Sequence, residues 1–400
     1  MYLIILSVTV LLNLLSWNSK SFSDWYMIKI LPLWVNSYGR FMSIFPFSVG
    51  EFMLITGAVM VIVAVLLGVI LGIKKLFNAP NKGFNTFNRS FNKFCKSYYI
   101  GSAWIALGVF VLLTLNCFIC YHGPDFATKY FPKEAESQGE YTYEELVAVR
   151  DYVVEKCNYL SGLMVRDELG NIIYSGDMEA VAVECMQALG NDYEQLKGYY
   201  PEPKKICFSG FLSQQYMQGY FFPFSMEANY NRIMCIMNKP ATMCHELAHL
   251  KGFLQEDEAN LIGYLACIKS DDPFFQYSGY LSVLNYLDND FYDAVDMDRD
   301  TYLSHVNVLP QVRRDNEFLT QETWDTVEKK ALISTETVDK ISDEVVETTL
   351  ILNGVEDGML SYCRVVGLLL DYYSNQPEEV YLVKWGNLDE YVILQLTTLM

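Results

Sequence analysis

The sequence predicts a helix-dominated α+β domain with a small sheet, preceded by three transmembrane helices. Apolar runs without a charged residue cover 52–73 and 98–121, each long enough for the roughly 30 Å hydrocarbon core of a bilayer, and a third opens the chain at about 1–17. The charge changes sign along the chain: residues 1–121 carry nine Lys and Arg against Asp24 and Glu51, whereas residues 122–400 carry 20 against 46. Beyond residue 121, segments with apolar residues at helical spacing are interrupted by one glycine- and aromatic-rich alternating stretch.

The first part, 1–121, reads as a membrane anchor. Met1 to Trp17 lacks a basic start and a small-residue cleavage site, so it is expected to remain as an uncleaved signal anchor. Lys74, Lys75, Lys82, Arg89, Lys93 and Lys96 make the 74–96 loop wholly basic, which marks it as cytoplasmic. Three crossings then deliver residues 122–400 to the extracytoplasmic face of the cell membrane. Between the first two spans, Trp25, Tyr26, Ile28, Ile30, Leu31, Leu33 and Trp34 with Lys29 and Arg40 form an amphipathic stretch suited to the interface. Gly68 and Gly72 set a small-residue step in the second span, where the third span is expected to pack.

The outer part, 122–400, is long enough to bury a core. Helices are predicted at Tyr143–Leu163 and Met178–Leu189, each with acids in its first turn or just before it. Phe208 to Asn231 predicts an extended strand with an irregular start, and Pro223 favours a sheet edge. Pro240 is expected to open a helix, followed by helices at Glu256–Ile268, Tyr277–Leu287, Asp339–Leu352 and Met359–Tyr373. Seven cysteines lie in this part without paired spacing, which predicts buried apolar residues rather than disulfides or thiolate ligands. Its net charge of −26 repels phosphates and excludes nucleic acid as a partner.

The segment His245-Glu246-Leu247-Ala248-His249 carries the chemistry. Residues four apart share a helical face, so both imidazoles can meet one metal ion while Glu246 leans toward its open position. A third protein ligand must come from elsewhere. The extended motif places a histidine six residues after the second one, but Gln255 stands there, and a neutral amide binds zinc poorly. The following helix offers Glu256, Asp257 and Glu258. Glu258 shares its face with Leu261, Ile262 and Leu265 and is expected to point inward, whereas Glu256 aligns with Asn260 and Gly263; Glu258 is therefore preferred.

With Glu258-Ala259-Asn260 following it, the motif resembles the gluzincin plan of zinc metallopeptidases. The longer strings Phe222 to Asn229, Thr242 to Glu246 and Glu256 to Asn260, together with three N-terminal spans, resemble a bacterial membrane family catalogued as a domain of unknown function. The resemblance implies a zincin-like outer domain with His245, His249 and Glu258 as Zn2+ ligands. It implies peptide hydrolysis, in which zinc activates a water and Glu246 accepts the proton and passes it to the leaving amine. Gluzincins bind substrate backbone along an edge strand, and Glu227 and Asn229 occupy the corresponding place in order, Glu227 for a substrate N–H or amine and Asn229 for a backbone amide. For the oxyanion, Tyr362 can donate a hydrogen bond and Arg364 a positive charge. Apart from the resemblance, His305 is a reserve ligand or proton carrier, although a lone histidine is usually structural.

The expected function is thus a membrane-anchored zinc metallopeptidase acting on peptides or proteins outside the cytoplasm. The alternative is a non-catalytic zincin-fold sensor signalling through its spans. Intramembrane proteolysis is disfavoured, because Lys239, Lys251 and Glu256 flank the motif.

Overall fold

The computed structural model of the chain describes residues 1–76, 85–131, 141–355 and 364–375. It divides into two compact units, one formed by Met1–Gly123 together with Phe222–Glu227, the other by Pro124–Phe221 and the chain from Ala228 onward.

In the first unit, α1 (Tyr2–Asn18) and α2 (Lys20–Lys29) meet at Ser19, whose extended backbone breaks the helix and whose hydroxyl caps α2 through Phe22 N. Helix α3 (Val49–Leu76) and helix α4 (Asn85–Leu113), which continues through a wider turn to Tyr121, are long and apolar enough to cross a membrane. The stretch Tyr2–Ser43 is bent by 113° and makes a third crossing only if both arms count as one span. Along α3, Leu54, Val59, Val61, Ile62, Val65, Leu66 and Val69 are exposed, an apolar surface suited to lipid. The expected packing of α4 on the glycine step of α3 is met at one of its two positions: a Cβ on Gly68 would stand 3.2 Å from Tyr99 OH of α4, whereas nothing lies within 4 Å of one on Gly72. The hydroxyls of Tyr98 and Tyr99 donate to the carbonyls of Met60 and Ala64 there.

The segment Phe222–Glu227 is bound into this unit by polar contacts. Tyr38 OH donates to Phe224 O (2.6 Å) and Asn116 Nδ2 to Pro223 O (2.9 Å). The Glu227 carboxylate accepts from Gly50 N (2.7 Å), Val49 N (3.2 Å) and Ser225 Oγ (2.7 Å), while Ser48 Oγ accepts from Glu51 N. Together Glu227 and Ser48 satisfy the leading N–H groups of α3, which helix geometry leaves without partners and which would be costly to bury unpaired.

After a short helix at Phe126–Tyr130, the second unit continues with α5 (Tyr143–Leu163), started by a capping box of Thr142 and Glu145, and α6 (Met178–Leu189), capped by Asp177. Both helices span the residues expected from periodicity. The Phe208–Asn231 stretch departs from a single strand. It forms a short helix at Ser209–Ser213 and then two strands, β2 (Gly219–Phe222) and β3 (Glu227–Tyr230), because Pro223 cannot donate to a ladder and Met226 adopts a positive φ of 53°. With β1 (Lys204–Lys205) the order is β1-β3-β2; β1 pairs parallel to β3, Lys204 opposite Asn229, and β3 is buried throughout.

Helices α7 (Asn238–His249), α8 (Glu256–Ile268) and α9 (Pro273–Ala294) form the core. Helix α7 begins two residues before Pro240, and its early Ala241 N–H is satisfied by Ser278 Oγ of α9. Farther on lie α10 (Thr335–Leu352) and α11 (Val365–Ser374). Cys157, Cys185, Cys244 and Cys267 are buried free thiols, as expected of small apolar residues, whereas Cys207 is exposed. His305 is a structural histidine: Nδ1 lies 3.1 Å from Asp151 Oδ2 and its ring packs on Phe291.

Asp315 ties α5, α9 and the loop after α5 together. It accepts from Arg166 at both oxygens (2.8 and 2.7 Å), from Tyr277 OH (2.8 Å) and from Gln311 (3.0 Å). Burial alone would raise its pKa, but the hydrogen bonds from Arg166, Tyr277 and Gln311 outweigh it and hold the carboxyl below its usual value. A depressed folded pKa contributes stability that is present above the unfolded value and lost as pH falls through the folded one. D315N should therefore lower stability at pH 7 by on the order of 2 kcal/mol. The gap from wild type, read by denaturant titration, should close as pH drops below about 4; a gap that persists at low pH would refute this account.

Candidate functional site

His245 and His249 lie one turn apart on α7, with Nε2 atoms 3.1 Å from each other. His249 Nδ1 is 2.8 Å from Phe253 O, so it carries the proton and leaves the Nε2 lone pair directed at the site. Gly252 makes this bond available. Its φ of 92° turns the chain back just after α7 ends, in the left-handed region that favours glycine.

The acid that the structure brings to the two imidazoles is Glu256, not the preferred Glu258. Glu256 Oε2 lies 3.1 Å from His245 Nε2 and 3.8 Å from His249 Nε2, and the three groups form a cluster able to hold a metal ion. Glu258 turns away. Its carboxylate accepts from Phe126 N, and burial pushes its pKa up to about 8. The reason lies in helix packing. A Cβ on Gly263 would stand 3.0 Å from His245 N and from Ala241 O, so Gly263 is where α8 touches the backbone of α7. Glu256 and Asn260 share the face of Gly263 and are carried to the imidazoles. The leucine-bearing face packs elsewhere, because α8 is buried on nearly every side.

The donor set fits a divalent cation. Tetrahedral coordination with Zn–N distances of about 2.0–2.1 Å sets two ligand nitrogens roughly 3.3 Å apart, close to the 3.1 Å between the imidazoles. Two lone pairs and a carboxylate converging on one point favour a positive charge there. A proton on His245 alone would face two acceptors at once, whereas one metal ion satisfies all three. Burial disfavours a charged His245, but Glu256 outweighs it and raises its pKa; burial holds His249 down at about 4.

Glu246 is buried in the same helix. Burial pushes its pKa up to about 8, His245 opposing and Glu256 adding to the rise. Its Oε2 has no hydrogen-bond partner among the described residues. A buried carboxyl left this way, with its charge coupled to His245 and Glu256, suits proton transfer to and from a reacting group.

Other expected site residues are placed differently. Glu227 is consumed as the cap of α3 and is 2% exposed. Asn229 lies wholly inside the sheet, its Nδ2 donating to Tyr220 O at 3.4 Å. Arg364 pairs with Asp257 at 3.2 Å and leaves almost half its side chain exposed. Tyr362 lies outside the described residues. Gly219 and the Phe253 carbonyl, by contrast, border Glu246 and His249 without any sequence signal that singles them out, since neither contributes a reactive side chain.

The chain belongs to the family described as "Protein of unknown function (DUF3810)", which matches residues 26–370. No curated protein and no solved structure matches it.

Proposed function

We propose that the chain is a membrane-anchored zinc metallopeptidase of the gluzincin kind, hydrolysing peptide bonds outside the cytoplasm. Its ligands are His245, His249 and Glu256, and its general base is Glu246. The observation that carries the reading is the convergence of both Nε2 atoms and Glu256 Oε2 beside a buried carboxyl. A structural metal site has no need of that carboxyl.

Zinc, when bound, supplies Lewis acidity to the attacking water and to the scissile carbonyl. Glu246 accepts the water's proton at its carboxylate and delivers it to the departing amine. His249 stays neutral and oriented through Phe253 O, and Asn260 stands beside His245. Strand β2 is at the sheet edge, and its Gly219 end abuts Glu246, so an extended peptide is received along that edge. With Glu227 withdrawn into the anchor, no role remains for it in gripping a substrate amine. That favours cleavage within a chain over removal of N-terminal residues. The wholly basic 74–96 loop supports the outward placement of this domain.

The test uses the full-length chain in detergent, with metal analysis and a peptide library. Wild type should hold about one zinc and cleave, and E246Q should keep the metal while losing cleavage by at least about 100-fold. Metal binding without cleavage by either form would move the reading to a zincin-fold sensor.

A further inference from the structure

Strand β2 meets the metal helix at a point where no side chain fits. A Cβ on Gly219 would overlap Glu246 Oε1 and stand 2.7 Å from Thr242 Cγ2 and 2.9 Å from Asn229 O. The neighbouring residue fixes this approach from two directions. Gln218 Oε1 accepts from Thr242 Oγ1 of α7 (2.8 Å), and Gln218 O accepts from Asn231 N after β3 (2.7 Å). Gly219 is thereby pressed on the carboxylate end of Glu246, and the backbone there is not in the left-handed region, so turn geometry is not what requires glycine.

We propose that Gly219 is the positioning residue for Glu246: the bare β2 backbone is the wall that sets the carboxylate against the His245, His249 and Glu256 cluster. This rests on the peptidase reading for its catalytic consequence but not for its geometry. Of the three atoms a methyl group would meet, Asn229 O belongs to the central strand and Thr242 Cγ2 to a side chain tied to Gln218. All three contacts are closer than a Cβ tolerates, but only the Glu246 carboxylate, the nearest of them, is the free end of a flexible side chain, so it gives way most while Thr242 and the Asn229 backbone shift by a few tenths of an ångström. The metal ligands are untouched. Displacing a reacting group by about 1 Å costs on the order of 100-fold in rate.

The experiment is a double-mutant cycle in the full-length, zinc-loaded chain with G219A, E246A and both together, reading metal content, melting temperature and peptide hydrolysis. G219A should keep its zinc, lose roughly 100-fold in kcat with KM nearly unchanged, and melt several degrees lower. In the E246A background the same substitution should cost less than half as much in melting temperature, because the group it strikes is gone. An equal thermal cost in both backgrounds, or loss of zinc from G219A, overturns the proposal. Should G219A fail to fold, recovery of folding by the double variant supports it, and failure of both overturns it. If wild type binds zinc but cleaves nothing, the peptidase reading fails alone, since the thermal cycle still decides whether Gly219 sets Glu246.

Discussion

E256Q should purify folded but without stoichiometric metal, whereas E258Q should keep it. Changing groups that merely support metal ligands costs about 10–100-fold in affinity, so loss of a ligand should exceed about 100-fold. Glu256 Oε2 is the oxygen next to both imidazoles, and a Gln amide there brings a weaker donor and no charge to offset the cation. Glu258 instead serves the backbone, accepting from Phe126 N, and Gln retains an acceptor for that bond. E258A should lower stability by roughly 1–3 kcal/mol through the orphaned N–H, with metal affinity little changed. Calorimetric zinc titration separates the two residues. Loss of metal from E258Q with retention by E256Q would reverse the assignment.

E227A should be the most destabilising of the single changes in the first unit. The carboxylate is 2% exposed and accepts from two backbone N–H groups at the start of α3 and from Ser225. Hydrogen bonds to a charged group are each worth roughly 1.5–3 kcal/mol and are not additive within one network, so losing all three should cost on the order of 5 kcal/mol. The leading N–H groups of a span also favour a negative charge through the helix dipole. E227Q should recover only part of the loss, because its amide nitrogen turns a donor toward a donor. Thermal unfolding in detergent reads the effect, and zinc stoichiometry measured well below the transition should be unchanged. A substrate-binding role would show the opposite pattern, with stability kept and KM raised.

Much of the chain is legible because its signals are local. The caps Thr142 and Asp177 start helices where periodicity places them, and the two long apolar runs become α3 and α4. The four-residue spacing of His245 and His249 needs nothing beyond helix geometry to bring two nitrogens together. Where a residue's partner is distant in sequence, the same reasoning loses its hold. Periodicity identified an apolar face of α8 but could not say which neighbour that face meets, and Gly263, unremarkable in sequence, admits α7 closely enough to select Glu256. Glu227 reads as a cleft residue in order along the chain, yet its carboxylate is claimed by Val49 and Gly50, nearly 180 residues earlier.

Spacing within one element is therefore enough to reveal the long apolar runs, the turn that pairs His245 with His249 and the acid beside it. Tertiary structure alone decided which acid meets the imidazoles, the withdrawal of Glu227 and the wall that Gly219 makes, because which side chain meets which is set by how closely backbones approach, and close approach depends on side chains that are absent.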